Sequence, residues 1–243
     1  MIRTLLAAAI ATIATATPAN ATEVIAHRAG TYPAISPSSM GAVARTQQLG
    51  VTSFEIDVQS TKSDTLVAMH DTTVDATTPG TGALINMTQA QVNALRLDDG
   101  QTIPSIKQVM TFVCANTMDV VLHLKTLNVD TWPRLADRVA QCPSRVTLMG
   151  NVPQMTRAAS LVPRAARLVL LSYTPAVWAS AAPFDGVAVP EEMVTAGDVV
   201  TAHTMGLLFW AYSPRSDRWA AMALAGVDAM FVDDVAGYLG KRL

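Results

Sequence analysis

Short apolar runs rich in β-branched residues alternate along the chain with stretches whose apolar residues recur at helical spacing. This alternation indicates an α/β protein, and the nearly continuous apolar character of the strand-like runs favours a parallel sheet buried on both faces. The pattern predicts strands at residues 24–27, 54–58, 66–69, 120–124, 146–149, 168–171, 186–189, 207–212 and 229–232. It predicts helices in most of the intervening segments, including residues 37–49, 194–205 and 217–225.

The number of predicted strands favours a closed (β/α)8 TIM barrel with one strand to spare, and the pattern does not identify the spare strand. Residues 63–64 fit a tight turn between the second and third strands. An open, doubly wound sheet is the alternative, although no glycine-rich phosphate turn follows the first strand. Residues 72–103 interrupt the alternation and are predicted to be a small insertion after the third strand, within one barrel domain spanning residues 22–243.

The first 21 residues have the features of a signal peptide. Arg3 precedes an apolar stretch at residues 5–14, which is too short to cross a bilayer, and small residues at Ala19 and Ala21 fit a cleavage site. We therefore expect cleavage near Ala21 and a periplasmic or secreted protein. A buried N-terminal helix is the alternative, which Pro18 disfavours.

Cysteine usage and charge narrow the range of partners. Export would allow a disulfide between Cys114 and Cys142, and two buried free thiols are the alternative. The chain has 17 Lys and Arg against 19 Asp and Glu, a net charge of −2, with no basic stripe, so no nucleic-acid partner is expected. The sequence has no second long apolar run, so no stable membrane anchor is expected. The sequence leaves the oligomeric state open.

Charged residues cluster at the predicted strand ends. Glu55 and Asp57 lie two apart on the second strand, so both side chains face the same side of the sheet. Two buried carboxylates on one face need a counter-charge, and a divalent cation suits carboxylate oxygens. The alternative is a structural ion pair with Arg28 or Lys125.

Two of the four histidines, His27 and His70, end the first and third predicted strands. A pair of imidazoles can supply a general acid and a general base near neutral pH, and Arg28 and Lys125 can hold a phosphate. Together with a metal ion, these groups suit phosphoryl transfer. Either histidine could instead have a structural role, which is the role we assign to His203 in a predicted helix.

The same residues fall into motifs that occur in a fixed order along the chain. These are His27-Arg28-Ala29-Gly30, Glu55-Ile56-Asp57-Val58, Thr61-Lys62-Ser63-Asp64, His70-Asp71, Ile103-Pro104-Ser105-Ile106, Trp210-Ala211-Tyr212 and Gly226-Val227-Asp228 through Asp233. In this order they resemble the glycerophosphodiester phosphodiesterase family, a phospholipase C-like phosphodiesterase barrel. The resemblance is dense from residue 24 to 125, looser to residue 200 and partial beyond that.

The resemblance implies a (β/α)8 barrel that hydrolyses glycerophosphodiesters to sn-glycerol 3-phosphate and an alcohol. It implies His27 and His70 as the acid–base pair, with Ca²⁺ or Mg²⁺ held by Glu55 and Asp57. Which histidine is the acid stays open, as does attack by water or by the hydroxyl of the substrate through a cyclic phosphate. The aromatic strand near the end makes Trp210 a candidate substrate contact.

Three positions depart from the family pattern. Ser38 replaces an acidic residue, Ala76 replaces an arginine, and His123 replaces a carboxylate two residues before Lys125. His123 is therefore expected to be a third metal ligand, and its nitrogen makes Mn²⁺ or Zn²⁺ alternatives to Ca²⁺ or Mg²⁺. A role for His123 in orienting a water or Glu55 remains open.

Two other functions are compatible with the same residues. A lipid-directed, phospholipase D-like enzyme would need an apolar, membrane-facing loop, for which residues 84–87 are the candidate. A non-catalytic phosphodiester-binding relative would have lost activity through the changes at Ser38 and His123. Release of glycerol 3-phosphate distinguishes these functions from the diesterase.

Overall fold

The computed structural model describes residues 22–172, 178–212 and 215–240. The predicted signal peptide at residues 1–21 lies outside the described residues. Each strand predicted from the sequence is present, with small shifts at the ends: β1 Glu23–Ala26, β2 Ser53–Ser60, β3 Leu66–Ala68, β4 Asp119–Leu124, β5 Val146–Gly150, β6 Arg167–Leu171, β7 Gly186–Pro190, β8 Leu208–Tyr212 and β9 Ala229–Val232.

Eight parallel strands close into a barrel. The order runs β1-β9-β8-β7-β6-β5-β4-β2, and β1 then pairs with β2 through Ile25 with Ser53 and Ala26 with Phe54. The predicted (β/α)8 barrel is confirmed, and the closing pair excludes the open, doubly wound alternative.

The spare strand is β3, which pairs antiparallel with β2 outside the closed ring. Only residues 61–65 connect the two strands, and a backbone hydrogen bond of 2.9 Å from Thr61 to the carbonyl of Thr65 closes the turn. A parallel neighbour would need a crossover of about a dozen residues. The short connection therefore makes β3 a hairpin partner of β2.

Helices lie between the barrel strands, and their sequences explain where they begin. Side chains of Ser39, Ser105, Asn151 and Thr195 each accept a hydrogen bond from the first turn of the helix that follows. The helices are α1 Met40–Gln48, α2 Gln89–Ala94, α3 Ile106–Ala115, α4 Thr131–Val139, α5 Val152–Ala159, α6 Trp178–Ala181, α7 Ala196–Thr204, α8 Trp219–Ala225 and α9 Val235–Tyr238. None of the helices in the described ranges has the length and apolarity needed to cross a bilayer.

The barrel has an outer and an inner apolar core. The outer core packs the strands against the helices. The inner core fills the barrel with Ile25, Val121, Met149, Val169, Ala188, Trp210, Ala229 and Phe231. Because strand side chains alternate between faces, the residues two positions further along these strands also point inward, at the carboxyl ends of the strands.

Residues 72–103 lie beside the barrel and contain α2. Together with residues of the β3 segment they form a separate small apolar cluster of Val67, Met69, Val74, Leu84, Val92, Leu97 and Ile103. The segment therefore has its own packing and forms a wall next to the end of β3.

A disulfide joins Cys114 in α3 to Cys142 just after α4, with 5.6 Å between the two Cα atoms. The bridge predicted from the sequence is confirmed, and the alternative of two free thiols is wrong. The bridge connects neighbouring helices on the outside of the barrel.

Candidate active site

A polar layer covers the inner core at the carboxyl ends of the barrel strands. His27, His123, Tyr212 and Asp233 each follow an inner-core residue by two positions, after Ile25, Val121, Trp210 and Phe231 respectively. Alternation along the strands thus puts polar groups directly above the apolar filling of the barrel. In TIM barrels this face carries the active site.

Glu55 and Asp57 lie at the centre of this layer, and both are fully buried. Glu55 Oε1 and both carboxylate oxygens of Asp57 are buried without a well-aligned hydrogen bond. One ligand atom from each of Glu55, Asp57 and His123 can be chosen so that all lie within 4.8 Å of one another. Buried, unsatisfied carboxylates are costly unless a cation compensates them, so this donor set fits a divalent metal ion.

Lys125 and His123 compensate part of the negative charge. Asp57 Oδ1 lies 3.1 Å from His123 Nδ1 and 3.2 Å from Lys125 Nζ. Burial alone would raise the pKa of Asp57, but the contact with His123 and the charge of Lys125 outweigh it and hold that pKa well below its usual range. Asp57 is therefore ionised at neutral pH.

His123 is buried and faces both carboxylates, with its Nδ1 also 3.7 Å from Glu55 Oε1. Burial favours the neutral imidazole, yet the contacts with Asp57 and Glu55 outweigh it and raise the pKa of His123. The two carboxylates thus attract positive charge to this position.

His27 is held between two neighbouring strands. Its Nδ1 lies 2.6 Å from Asp233 Oδ1, and its Nε2 lies 3.1 Å from the Tyr212 hydroxyl and 3.9 Å from Glu55 Oε2. The hydrogen bond from His27 is the main cause that lowers the pKa of Asp233. Asp233 therefore stays ionised and fixes the orientation of the imidazole, as expected for a histidine that transfers protons.

Arg28 follows β1 in a left-handed turn, with φ of +50°. This turn directs the Arg28 backbone N–H to Glu55 Oε2 at 2.9 Å, while the guanidinium Nε lies 3.7 Å from Asp57 Oδ2. Arg28 Nε is buried without a well-aligned partner. The turn also explains why β1 ends at Ala26, one residue earlier than the pattern predicts.

His70 belongs to the extra strand and not to the barrel. It lies two residues beyond β3, its side chain is 36% exposed, and its Nδ1 contacts Asp71 Oδ1 at 2.7 Å. Arg28, Ser38 and His70 line a cavity of about 90 Å³, whose far wall comes from the insertion through Leu97. His70 thus shares a cavity with Arg28, although its strand lies outside the closed ring.

The remaining predicted residues have distinct positions. Trp210 is 2% exposed and packs against Phe231 in the inner core, one layer below the site, so its role as a substrate contact stays a prediction. His203 lies on α7 and pairs with Asp228 at 2.9 Å, away from the polar layer. Tyr212 was not assigned a role from the sequence, although it lies two residues after Trp210 on the same strand.

Comparison with known proteins yields both sequence and fold relatives. Residues 27–236 match the profile of the glycerophosphoryl diester phosphodiesterase family. Segments of the chain are 31% identical to the Mus musculus glycerophosphodiester phosphodiesterase 1 and 32% identical to a glycerophosphodiester phosphodiesterase from Caldanaerobacter subterraneus subsp. tengcongensis. These alignments cover 44% and 43% of this chain, and 35% and 46% of the relatives, so the chain matches less than half the length of either.

Solved structures show the same fold over most of the chain. A phosphodiesterase from Oleispira antarctica, in complex with its product sn-glycerol-3-phosphate, aligns with a TM-score of 0.78 at 19% identity and covers 90% of this chain and 96% of its own. A glycerophosphodiester phosphodiesterase from Agrobacterium tumefaciens aligns with a TM-score of 0.75 at 19% identity, over 88% and 97% of the two chains. With the profile match across residues 27–236, the chain belongs to the glycerophosphoryl diester phosphodiesterase family.

Proposed function

We propose that the protein is a metal-dependent phosphodiesterase that hydrolyses glycerophosphodiesters to sn-glycerol 3-phosphate and an alcohol. Family membership supports this reaction class, and sn-glycerol-3-phosphate is the product bound to the Oleispira antarctica phosphodiesterase. The substrate is then a small molecule, recognised at the polar layer above the barrel core.

The observation that carries the proposal is the buried set of Glu55, Asp57 and His123 with its unsatisfied ligand atoms. A divalent ion held by these residues would supply Lewis-acid polarisation of a phosphoryl oxygen. Two carboxylates and one imidazole mix oxygen and nitrogen donors, which Mn²⁺ and Zn²⁺ accept more readily than Ca²⁺ does. We therefore include Mn²⁺ and Zn²⁺ with Ca²⁺ and Mg²⁺ as ions for this site.

The other residues of the layer provide charge and proton transfer in the proposed reaction. Arg28 and Lys125 both contact Asp57 and would neutralise the phosphate of the substrate. His27, oriented by Asp233, and His70, oriented by Asp71, would share the roles of general acid and general base. With Asp71 on its Nδ1, His70 would present Nε2 to the substrate. His27 Nε2 lies 3.1 Å from the Tyr212 hydroxyl and would exchange that contact for the substrate.

A coupled assay for glycerol 3-phosphate release tests the function. The exported protein is incubated with glycerophosphodiesters before EDTA treatment, after it, and after readdition of Ca²⁺, Mg²⁺, Mn²⁺ or Zn²⁺. We expect release that EDTA abolishes and at least one ion restores. Release that persists in EDTA would contradict metal dependence, and no release with any ion would favour a non-catalytic binding role.

We also propose export, with cleavage near Ala21, as the cellular context of this activity. The disulfide between Cys114 and Cys142 supports an oxidising compartment. N-terminal sequencing of the protein recovered outside the cytoplasm tests the proposal, and an intact N-terminus would contradict it. The lipid-directed alternative would need residues 84–87 to face a membrane. Leu84 in this loop is fully buried in the small apolar cluster of the insertion, which argues against a membrane-facing role.

A further inference from the structure

Gln59 makes an unusual set of contacts near the end of β2. Its side chain is on the same face of the strand as Glu55 and Asp57, and the residue is 2% exposed. Its amide Nε2 donates to the backbone carbonyl of Met69 at 3.0 Å, to that of His70 at 3.1 Å, and to that of Asp71. The two hydrogens of one buried amide are thus shared among three successive carbonyls of the segment that carries His70.

His70 depends on such contacts because the barrel does not hold it. Its strand, β3, has three residues and pairs only with β2 among the described strands. Beyond β3, the Met69 backbone N–H still donates to the Asp57 carbonyl at 3.0 Å, and after that the Gln59 amide is the link between this segment and β2. The carbonyls of His70 and Asp71 both bond to that one amide, so the path of the backbone through His70 follows the position of Gln59.

We infer that Gln59 is a positioning residue that sets His70 at the distance from the metal site that the reaction needs. The inference rests on the proposed function of His70 as a proton-transfer residue. β2 then fixes both parts of the site: Glu55 and Asp57 directly, and His70 through the Gln59 amide. Since a shift of about 1 Å in a catalytic group can cost about 100-fold in rate, the amide acts on turnover through geometry alone.

Gln154 offers a matched control in the same protein. Its Nε2 donates to the backbone carbonyls of Leu124 at 3.0 Å and Lys125 at 2.8 Å, at the end of β4. The chemistry is the same, one amide on successive carbonyls, but the segment it holds carries Lys125 and not His70. Replacing either glutamine removes the same kind of hydrogen bond from different parts of the site.

The test is a double-mutant cycle with Gln59→Leu, Gln154→Leu and His70→Ala, using glycerol 3-phosphate release. We expect Gln59→Leu alone to lower kcat about 10- to 100-fold with little change in KM. In the His70→Ala background, adding Gln59→Leu should lower kcat by no more than about twofold. Adding Gln154→Leu to the same background should lower kcat by the same factor as it does in the wild type, to within about twofold. The affinity for Mn²⁺, measured by calorimetry without substrate, should be unchanged in Gln59→Leu.

Each result supports or contradicts the inference. Equal losses from Gln59→Leu with and without His70 would overturn it, because Gln59 would then act independently of His70. Weaker Mn²⁺ binding would also overturn it, since the change would have disturbed Glu55 and Asp57. If Gln59→Leu does not fold, Gln59→Met, which keeps the length of the side chain without the donor, replaces it under the same criteria. Absence of release by the wild type would instead refute the proposed function.

Discussion

His27 and His70 each have a carboxylate on Nδ1, but the parts of the molecule that carry them differ. His27 follows a strand inside the closed barrel, is 5% exposed, and pairs with Asp233 from the adjacent strand β9. His70 follows a three-residue strand outside the ring, has a side chain that is 36% exposed, and pairs with its sequence neighbour Asp71. The barrel register therefore fixes one histidine, whereas the other lies in a loop held by the Gln59 amide and by backbone hydrogen bonds to Asp57 and to the insertion.

One part of the site is fixed by the barrel strands, and the other part lies where the sequence can change without loss of the fold. The residues that would contact the proposed metal ion are on barrel strands, and His27 directly follows one, so the pairing that closes the barrel fixes them all. His70 lies beside the insertion, and its cavity includes Leu97 and Thr77 from residues 72–103. Loops and insertions tolerate change better than paired strands do, so the His70 side is where substrate preference can vary without loss of the fold.

The largest expected effect is on turnover when either histidine is removed. We expect His27→Ala and His70→Ala each to lower kcat by about 10²–10⁴, the range for losing a positioned proton donor or acceptor. His27→Ala should also lower the free energy of unfolding by about 1 kcal/mol, because it removes the hydrogen bond between the imidazole and Asp233, whose carboxylate is largely exposed. Steady-state kinetics and urea unfolding of the purified variants measure the two effects.

His203→Ala is the matched control for this comparison. His203 also pairs with an aspartate, Asp228, but it lies on α7 and does not contact the polar layer. We expect its kcat to remain near that of the wild type. Near-wild-type kcat for folded His27→Ala and His70→Ala variants would show that the acid–base assignment is wrong.

The carboxylate partners should matter less than the histidines themselves. We expect Asp233→Asn and Asp71→Asn to lower kcat by about 10- to 100-fold, as is typical for the outer partner of a functional imidazole. The loss for Asp71→Asn should be the smaller of the two, because the His70 side chain is 36% exposed and can bond to water, whereas the His27 side chain is only 6% exposed. Comparing kcat for the two variants tests this order, and a larger loss for Asp71→Asn would contradict it.

Most of the barrel could be predicted because its strands are nearly continuous apolar runs between stretches of helical spacing. Much of the site could be predicted because side chains alternate along a strand, so Glu55 and Asp57, or His123 and Lys125, share a face. The strand pattern did not identify the spare strand. Its signal was the tight turn predicted at residues 63–64, which leaves no room for a crossover and so makes β3 antiparallel to β2.

The contacts that orient the site could not be predicted in the same way. Asp233 and His27 are 206 residues apart and meet because β1 and β9 are neighbours in the closed barrel. Gln59 contacts backbone carbonyls, which any sequence at residues 69–71 would supply. The sequence therefore contains no side-chain pattern from which this contact could be predicted. Tyr212 did have a signal, since it shares a face with Trp210 and lies nearer the functional end of β8.

A smaller effect is expected on metal preference at His123. His123→Glu replaces the proposed nitrogen ligand with a carboxylate, so we expect the affinity for Ca²⁺ or Mg²⁺ relative to Mn²⁺ or Zn²⁺ to rise about tenfold, at the low end for changes around a metal site. His123→Ala should weaken binding of all four ions. Metal titrations of the wild type, His123→Glu and His123→Ala test whether His123 binds the metal ion. Identical affinities across the three proteins would show that His123 is not a ligand.

The smallest effect on activity is expected from the disulfide, which lies on the outside of the barrel. The bridge between Cys114 and Cys142 joins α3 to the end of α4 and closes a loop over a sequence separation of 28 residues. Replacing both cysteines by alanine should lower the free energy of unfolding by about 2–4 kcal/mol, mainly by freeing the unfolded chain. Turnover should stay within about twofold of the wild type, because neither cysteine contacts the polar layer or the His70 segment.

Urea unfolding measures the loss of stability in the double-alanine variant, and glycerol 3-phosphate release measures its turnover. Mass spectrometry of the non-reduced protein should recover the two cysteines linked, and two alkylatable thiols would contradict the bridge. A large loss of kcat without the bridge would mean that the outer helices help to position the site, and the division between a barrel-held and a loop-held histidine would then have to include α3.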